Sequence, residues 1–300
     1  SADWSREVFT LDPQVAKAVL CEFQTFWDQD LLYKGAYIVQ WCPKCNTAIE
    51  DVEVEYEERT EKLYFVKYEI RQKSGEFITV ATARPETIFA DTGIAIYPDH
   101  PKFAKYVDMQ AINPLTRNPI AIFEDERVDK NFGTGALKIT PGHDFLDFQI
   151  GKDHDLPIIH VIDKTGRMAK EASCVNEKGD EVVDLSGQKS SASREIVIEI
   201  LEKNGALERS RVYKHSVPIC ERCKTTVEPL ISEEWFVKVS EMAHEAAKVI
   251  YANKIKILPK NYGRVISLWL ENIHDWCISR SLWWGHRIPV WYKNSSQPIG

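Results

Sequence analysis

The chain has 300 residues, of which 44% are apolar and 28% charged, ordinary globular usage that excludes wholesale disorder and fits one large or two ordinary domains. No apolar run approaches the roughly 18 residues that a membrane span needs, so no membrane is expected among its partners. The net charge of −7 argues against a generic basic nucleic-acid coat and leaves room for a local basic groove.

The opening Ser1-Ala-Asp-Trp-Ser-Arg-Glu7 has no initiator Met and no charged-then-apolar leader, which predicts no signal peptide and suggests an excerpt of a longer chain. Charge is uneven: residues 235–300 hold nine Lys/Arg against four Asp/Glu, leaving −12 on residues 1–234. Tryptophan is uneven too, at 4, 27 and 41, then absent for 193 residues, then present six times from Trp235 to Trp291. Two ends of one texture around a middle of another read as an inserted domain, with chance clustering of nine residues as the bland alternative.

In chain order, Asp12-Pro13 places an acceptor before a proline in a first helical turn. Val15, Val19, Phe23 and Phe26/Trp27 continue at helical spacing up to Leu32, with Gly35 closing the segment. Residues 36–41 read as a strand entering Cys42-Pro-Lys-Cys45, and the carboxylates from Glu50 to Glu61 as a solvated ribbon. Short strands are predicted around Tyr64–Ile70, Phe77–Ala81, Gly93–Ile96, Pro119–Phe123, Gly135–Ile139 and Pro157–Ile162; many short strands with Gly/Pro punctuation favour a closed or nearly closed β-barrel. Helices follow from Ser191–Ser193 to Asn204-Gly205, from Ser240 to Tyr251, and from Asn261 through Val265, Leu268 and Trp269.

The pairs Cys42/Cys45 and Cys220-Glu-Arg-Cys223 leave Cys21, Cys174 and Cys277 single, and an odd count without a leader suggests a reducing compartment. Four thiolates suit tetrahedral zinc with no open position, hence a structural site. Joined, they would staple both crossing points of an insertion of 174 residues, a loop whose closure is otherwise entropically unfavourable. Two redox pairs, or idle reduced thiols, are the alternatives.

Polar groups concentrate among small residues in Ala81–Asp91 and Phe132–Phe148. Lys138, Asp144 and Asp147, with hydroxyls from Thr82 and Thr87, would suit an ammonium-bearing substrate with a polarised ester. Asp144 could equally cap a helix, Lys138 lie on the surface, Thr82 fill a strand, and His143 be structural. Asp275–Trp291 gathers Trp283 and Trp284 with two arginines around a glycine: a pocket rim beside a polyanion, or a core helix.

Together these segments resemble the valyl-tRNA synthetases, within the class I aminoacyl-tRNA synthetases. The matching motifs are Thr82-Ala-Arg-Pro-Glu-Thr87, Gly133–Asp147, Asp275–Pro289, Ser1–Glu7, His215-Ser-Val-Pro218 and Glu234-Trp-Phe-Val-Lys238. The resemblance implies an α+β architecture, a β-barrel editing domain inserted between helical and zinc-knuckle flanks of a Rossmann core. It divides the chain into a flank with the first knuckle (1–53), the editing barrel (54–214), the second knuckle with a return ribbon (215–234) and a flank leading back to the core (235–300). The ATP-binding signatures His-Ile-Gly-His and Lys-Met-Ser-Lys-Ser are absent, so ATP and Mg are expected only in a full-length enzyme.

An apolar pocket cannot strongly reject an isostere that merely adds a hydroxyl, a limit for which the valyl enzymes are themselves the standard illustration. The implied function is hydrolysis of threonine from the acceptor end of tRNA(Val), within an enzyme that attaches valine. The resemblance assigns Asp147 to the α-ammonium, Asp144 and Lys138 to the threonine hydroxyl, and Arg84 and Thr87 to the region of the terminal adenosine. Thr82, His143, Trp283 and Trp284 complete the binding residues, with Cys42, Cys45, Cys220 and Cys223 on zinc. Ala83, Gly142 and Ser281 depart from the family pattern, and Gly142 is expected to loosen the loop carrying Asp144. A cytoplasmic monomer is expected. The isoleucyl relative and a non-catalytic RNA-binding knuckle module remain the competing readings.

Overall fold

The computed structural model describes residues 2–176, 178–292 and 298–299. The chain divides into two compact units, 1–37 with 232–300, and 38–231. Its helices are α1 (Pro13–Asp28), α2 (Phe145–Asp153), α3 (Ser190–Lys203), α4 (Ser240–Tyr251) and α5 (Asn261–Glu271). Its strands are β1 (Leu32–Cys42), β2 (Thr47–Ile49), β3 (Val54–Ile70), β4 (Phe77–Thr82), β5 (Gly93–Ile96), β6 (Gln110–Ile112), β7 (Pro119–Glu124), β8 (Ala136–Ile139), β9 (Ser173–Val175), β10 (Glu181–Asp184), β11 (Leu207–Cys220), β12 (Glu228–Val237), β13 (Trp276–Cys277), β14 (Trp291–Tyr292) and β15 (Pro298–Ile299). Among the described residues, no helix is long and apolar enough to cross a membrane.

The unit formed by 38–231 is built on a sheet of order β11-β3-β6-β7-β5-β8, with β4 also paired to β3. The long strands β3 and β11 make an antiparallel ribbon from Val54↔Cys220 to Val66↔Leu207. The carboxylates from Glu55 to Glu61 therefore lie in a paired strand, where Lys224 meets Glu55 and Arg59 meets Glu57, each at 2.6 Å, while Asp51 and Glu53 belong to the 3-10 turn before it. Beyond the ribbon the alternation of β3 tightens, and Leu63, Phe65, Val66, Tyr68 and Ile70 are all fully buried. Strand β5 runs parallel to β7 and antiparallel to β8. Its Ile94 and Ile96 and the β4 residues Ile78 and Val80 are buried, the near-continuous apolar run of a strand covered on both faces.

The sheet curls until the approach to β8 meets β4, where Thr134 Oγ1 donates to the Thr79 carbonyl at 2.5 Å. A Cβ on Gly133, which has φ +63°, would sit 2.7 Å from the Ala81 Cβ, so only glycine permits this approach. The seam is made by side chain and close packing, with no β4–β8 ladder among the described residues: a curled half-barrel rather than a closed barrel. Helix α2 seals one end, packing Ile150 with Ala95, Val128 and Ile139. Helix α3 buries Val197 and Leu201 and packs against the 3-10 turn Pro85–Ala90.

Two local expectations fail. The run Pro157–Ile162 is not a strand; the Val161 N–H goes to His143 Nε2 and its carbonyl to Ala169 N, leaving a single bridge at Ile162↔Met168. Gly35 lies inside β1 and closes no helix; α1 ends at Asp28, with Asp30 turning the chain at φ 55°.

The other unit holds α1, α4, α5 and β13, with the ends of β1 and β12. Trp27 lies 6.1 Å from Trp235, and Tyr33 stacks on Phe236 at 5.5 Å. Tyr33 donates to Asp275 at 2.7 Å, tying the segment after α5 to β1.

Ile94 is 0% exposed between two partner strands, so Ile94→Ala is expected to destabilise its unit by about 2–5 kcal/mol. The exposed Val182→Ala should change stability by less than about 0.5 kcal/mol. Urea unfolding measures both; equal effects would contradict this core.

Candidate functional site

Strand register sets the site. Pairing of β8 with β5 places Lys138 opposite Ile94, and its ammonium enters the half-barrel only 6% exposed. An ammonium there needs charge and hydrogen-bond partners. Lys138 Nζ donates to Asp91 Oδ1 at 2.9 Å, to Thr87 Oγ1 at 3.0 Å and to Thr140 Oγ1. Asp91 also accepts from Thr140 Oγ1 at 2.7 Å and from Tyr68 OH at 2.6 Å. Burial pushes the Asp91 carboxyl up and Lys138 pulls it back. Lys138 is thus neither a surface cation nor a free one, since its three N–H bonds end on protein oxygens.

The Thr140 backbone carries the arrangement onward, its N–H donating to Asp147 Oδ2 at 2.9 Å. Asp147 sits in the first turn of α2, 4% exposed, and its buried Oδ1 has no hydrogen-bond partner among the described residues. Burial, then the neighbouring Asp144, holds its carboxyl well above the usual range. Asp144 is the exposed N-cap of α2, with Oδ1 accepting from Leu146 N at 2.9 Å and Asp147 N at 3.1 Å, and it also lines a cleft. The turn before it is packed rather than loose: a Cβ on Gly142 would lie 2.3 Å from the Ile159 carbonyl oxygen.

That cleft, about 710 Å³, is lined by Arg84, Arg194, Glu61, His215, Lys44 and Lys189, among others. Arg84 is gripped by Glu86, Glu228 and the His143 carbonyl. Arg194 donates twice to Glu86 at 3.0 Å and once to Glu61 at 3.2 Å, and His215 Nε2 lies 3.1 Å from the same Glu61 oxygen. Glu86, buried beneath both arginines, holds two guanidiniums in one wall. Thr82 Oγ1 accepts from Arg84 N at 3.0 Å, a local brace. His143 is buried, its Nε2 accepts from Val161 N at 2.9 Å, and burial keeps its pKa well below the ordinary value. Like Asp147, Lys138 and Thr87, it is buried and is not among the residues that line the cleft. Sequence reasoning missed Tyr68, Asp91, Thr140, Glu61, Glu86 and Arg194. Asp91 closes one of the polar segments, and Glu86 sits within the Arg-Pro-Glu motif.

Trp283 and Trp284 belong to the other unit and are 106% and 70% exposed, with Trp284 stacked on Phe9 at 5.8 Å. They are not core, and the aromatic pocket of that unit is lined instead by Trp27, Tyr33, Trp235 and Tyr292, among others.

Cys42, Cys45, Cys220 and Cys223 converge with all four sulfurs within 4.8 Å of one another. Tetrahedral zinc–thiolate bonds of about 2.3 Å imply sulfur separations of roughly 3.8 Å, so the cluster can hold a metal. Burial pushes the Cys42 thiol up, a cost to its thiolate that a cation would offset. The knuckle residues Pro43 and Lys44 also line the cleft.

Asp147 gives a pH signature. Its folded pKa is raised, so above the ordinary carboxyl range the unfolded chain releases a proton the folded chain keeps, and stability falls as pH rises. Asp147→Asn is therefore expected to be more stable than the parent at pH 7, with the gain vanishing below about pH 4. Urea denaturation across pH tests this, and a less stable variant at pH 7 contradicts it.

A family model described as "tRNA synthetases class I (I, L, M and V)" matches residues 1–299. The chain is 44% identical to the valine–tRNA ligase of Petrotoga mobilis and 42% identical to those of Dehalococcoides mccartyi and Thermotoga maritima, over 97% of its own length in each case. It spans 32% of the length of each of these relatives. A crystal structure of a LeuRS–tRNA–LeuAMS ternary complex from Agrobacterium radiobacter matches at 17% identity and a TM-score of 0.37, covering 75% of this chain and 37% of that one, a likeness too slight for any argument. With the family model running from end to end, the chain belongs to the class I tRNA synthetases.

Proposed function

We propose that this chain is the editing part of a valine–tRNA ligase and hydrolyses threonine from tRNA(Val). The observation that carries the reading is Asp147: a buried carboxylate with one oxygen fixed by Thr140 and the other without a partner, beside a cleft that Asp144 lines. An α-ammonium at Oδ1 would satisfy that acceptor and restore its charge. The threonine hydroxyl would then find Asp144, with Thr87 and Thr140 held in place by Lys138. Arg84 in the cleft wall suits the terminal adenosine and its phosphate.

Hydrolysis adds a water oxygen to the ester carbonyl carbon and expels the ribose oxygen, which takes up a proton as threonine leaves. No covalent nucleophile is required. The Lys138 charge and nearby N–H groups stabilise the developing oxyanion electrostatically, and the water's proton goes to Asp144 or to the vicinal ribose hydroxyl. Cys42, Cys45, Cys220 and Cys223 would hold structural zinc, a closed four-thiolate site that supplies folding energy and no open position. The barrel of 54–214, between the flanks of a Rossmann core, belongs to the same reading. So do ATP- and Mg-dependent attachment of valine by a longer, cytoplasmic and monomeric enzyme, and flanking Trp283 and Trp284 as binding residues.

Threonyl-tRNA(Val) incubated with the chain is expected to lose threonine while valyl-tRNA(Val) survives, and Asp147→Asn should slow the loss by 100-fold or more, on the order of 3 kcal/mol. Equal survival of the two esters would defeat the reading. Elemental analysis is expected to find one zinc per chain. Its removal by a chelator should lower the unfolding temperature by several degrees, a few kcal/mol of lost binding energy; an unchanged melt refutes the structural metal.

A further inference from the structure

The cysteine knuckle and the cleft share a wall. Pro43 and Lys44, which join Cys42 to Cys45, line the cleft together with Gly166 and Arg167. The turn 163–167 holds its own shape, because Asp163 Oδ1 accepts from Thr165 N at 2.8 Å, Thr165 Oγ1 at 2.7 Å and Arg167 N at 3.0 Å. It leans on the knuckle at two points. Trp41, the residue before Cys42 and only 2% exposed, donates its Nε1–H to the Lys164 carbonyl at 2.8 Å, and the Lys164 ammonium sits 4.7 Å from the centre of the same indole. A Cβ on Gly166, at φ +73°, would lie 3.1 Å from the Pro43 Cβ, so the turn packs directly on the link between two cysteines. On its other side the turn meets the start of α3. The Gly166 carbonyl accepts from Ser190 N at 3.1 Å, and Ser190 Oγ donates at 3.2 Å to Glu228, the carboxylate that grips Arg84.

We propose that the knuckle braces the cleft, with Trp41 as the positioning residue that transmits the brace, so that metal binding by the four cysteines and ligand binding in the cleft are linked. The proposal rests on the readings of the cysteine cluster as a zinc site and of the cleft as an aminoacyl-ester site, and it adds the coupling between them. Four sulfurs within 4.8 Å of one another meet the demands of a tetrahedral ion only over a narrow range of backbone positions. Four thiols without a shared ion impose no such geometry. The ion would therefore fix the segment from Trp41 to Cys45, and with it the indole and the proline on which the turn rests. Coupling between two sites needs a contiguous set of packed and hydrogen-bonded groups. Here that set runs from Cys42 through Trp41, Lys164, Gly166 and Ser190 to Glu228, all within the unit 38–231. Linkage is reciprocal: whatever the metal adds to the affinity of a cleft ligand, the ligand adds to that of the metal.

Zinc affinity of the whole chain, read by competition with a chromogenic chelator, tests the coupling with no ligand in the cleft. Trp41→Phe keeps a ring and removes the donor, while Asp163→Ala unties the turn at an exposed residue far along the chain from every cysteine knuckle. Each is expected to weaken zinc binding at least about threefold, and the double variant no more than the stronger single one, because both cut the same connection. Asp163→Asn, which keeps the acceptor oxygen and removes the charge, should match the parent. Parent affinity in Asp163→Ala, the same loss in Asp163→Asn, or losses that multiply in the double variant overturn the proposal. A chain that binds no zinc refutes the metal reading and the proposal together. The second arm adds a threonyl-adenosine whose ester is replaced by an amide. It is expected to tighten zinc binding by the parent at least about threefold and to leave that of Trp41→Phe unchanged. An analogue that binds the parent without altering its zinc affinity overturns the linkage and keeps the reading of the cleft. An analogue that does not bind refutes that reading, and the variants of the first arm still decide the brace.

Discussion

A lysine ammonium inside a half-barrel costs several kcal/mol of lost hydration unless protein groups replace the water, and every element near the site is arranged around that requirement. Lys138 takes its negative charge from Asp91 and its remaining bonds from Thr87 and Thr140. Asp91 in turn needs donors, which Tyr68 on β3 and Thr140 after β8 provide. One buried charge thus ties β3, β8 and the 3-10 turn at 85–90 together. Thr140, held by its hydroxyl, points its N–H at Asp147. The carboxylate proposed to meet the substrate is therefore positioned by an ion pair that it does not touch.

A second set of charges faces the cleft. The buried Glu86 accepts from both Arg84 and Arg194, while Glu228 and Glu61 take the outer edges of the two guanidiniums. Two cations against three carboxylates leave this wall one charge negative before His215 is considered. The partly buried arginines are held by carboxylates, whereas Lys44, Lys189 and Arg167 on the same lining are exposed, so the cleft proposed to take a polyanion carries exposed cations despite the chain's acidity.

What the sequence made legible was what local chemistry determines. The Asp12-Pro13 start of α1, the strands at 77–82, 93–96, 119–124 and 136–139, and the helices at 190–203 and 240–251 follow from period, caps and turn residues. The two cysteine pairs, which the sequence alone left as one metal site, two redox pairs or idle thiols, converge. Lys138, Asp144, Asp147 and Thr87 stand out as polar groups among small residues, and Arg84 through the family resemblance alone. Their partners were invisible for the opposite reason. Tyr68 lies 23 residues from Asp91, and Glu86 lies 108 residues from Arg194; only the register of β3 and the placement of α3 bring them together. The Pro157–Ile162 run looked like a strand because its apolar content was right, but its backbone is spent on His143 and Ala169. Trp283 and Trp284 showed that aromatic density alone does not separate a core from a surface.

The structural role of Asp144 and the chemical one proposed for it need not compete. As N-cap it offers Oδ1 to two N–H groups of α2 that would otherwise lack partners. Those bonds remove the side chain's rotational freedom and leave Oδ2 outside the cap, on a residue that lines the cleft. A free aspartate at a loop tip would have to be ordered by the substrate at an entropic cost; here the helix terminus orders it beforehand. The same first turn carries Asp147, so the capping bonds fix the distance between an exposed carboxylate and a buried one. Replacing Asp144 by Asn would keep the cap and remove the charge, whereas Ala would remove both, so the difference between those two variants isolates what the carboxylate does in the cleft from what it does for α2.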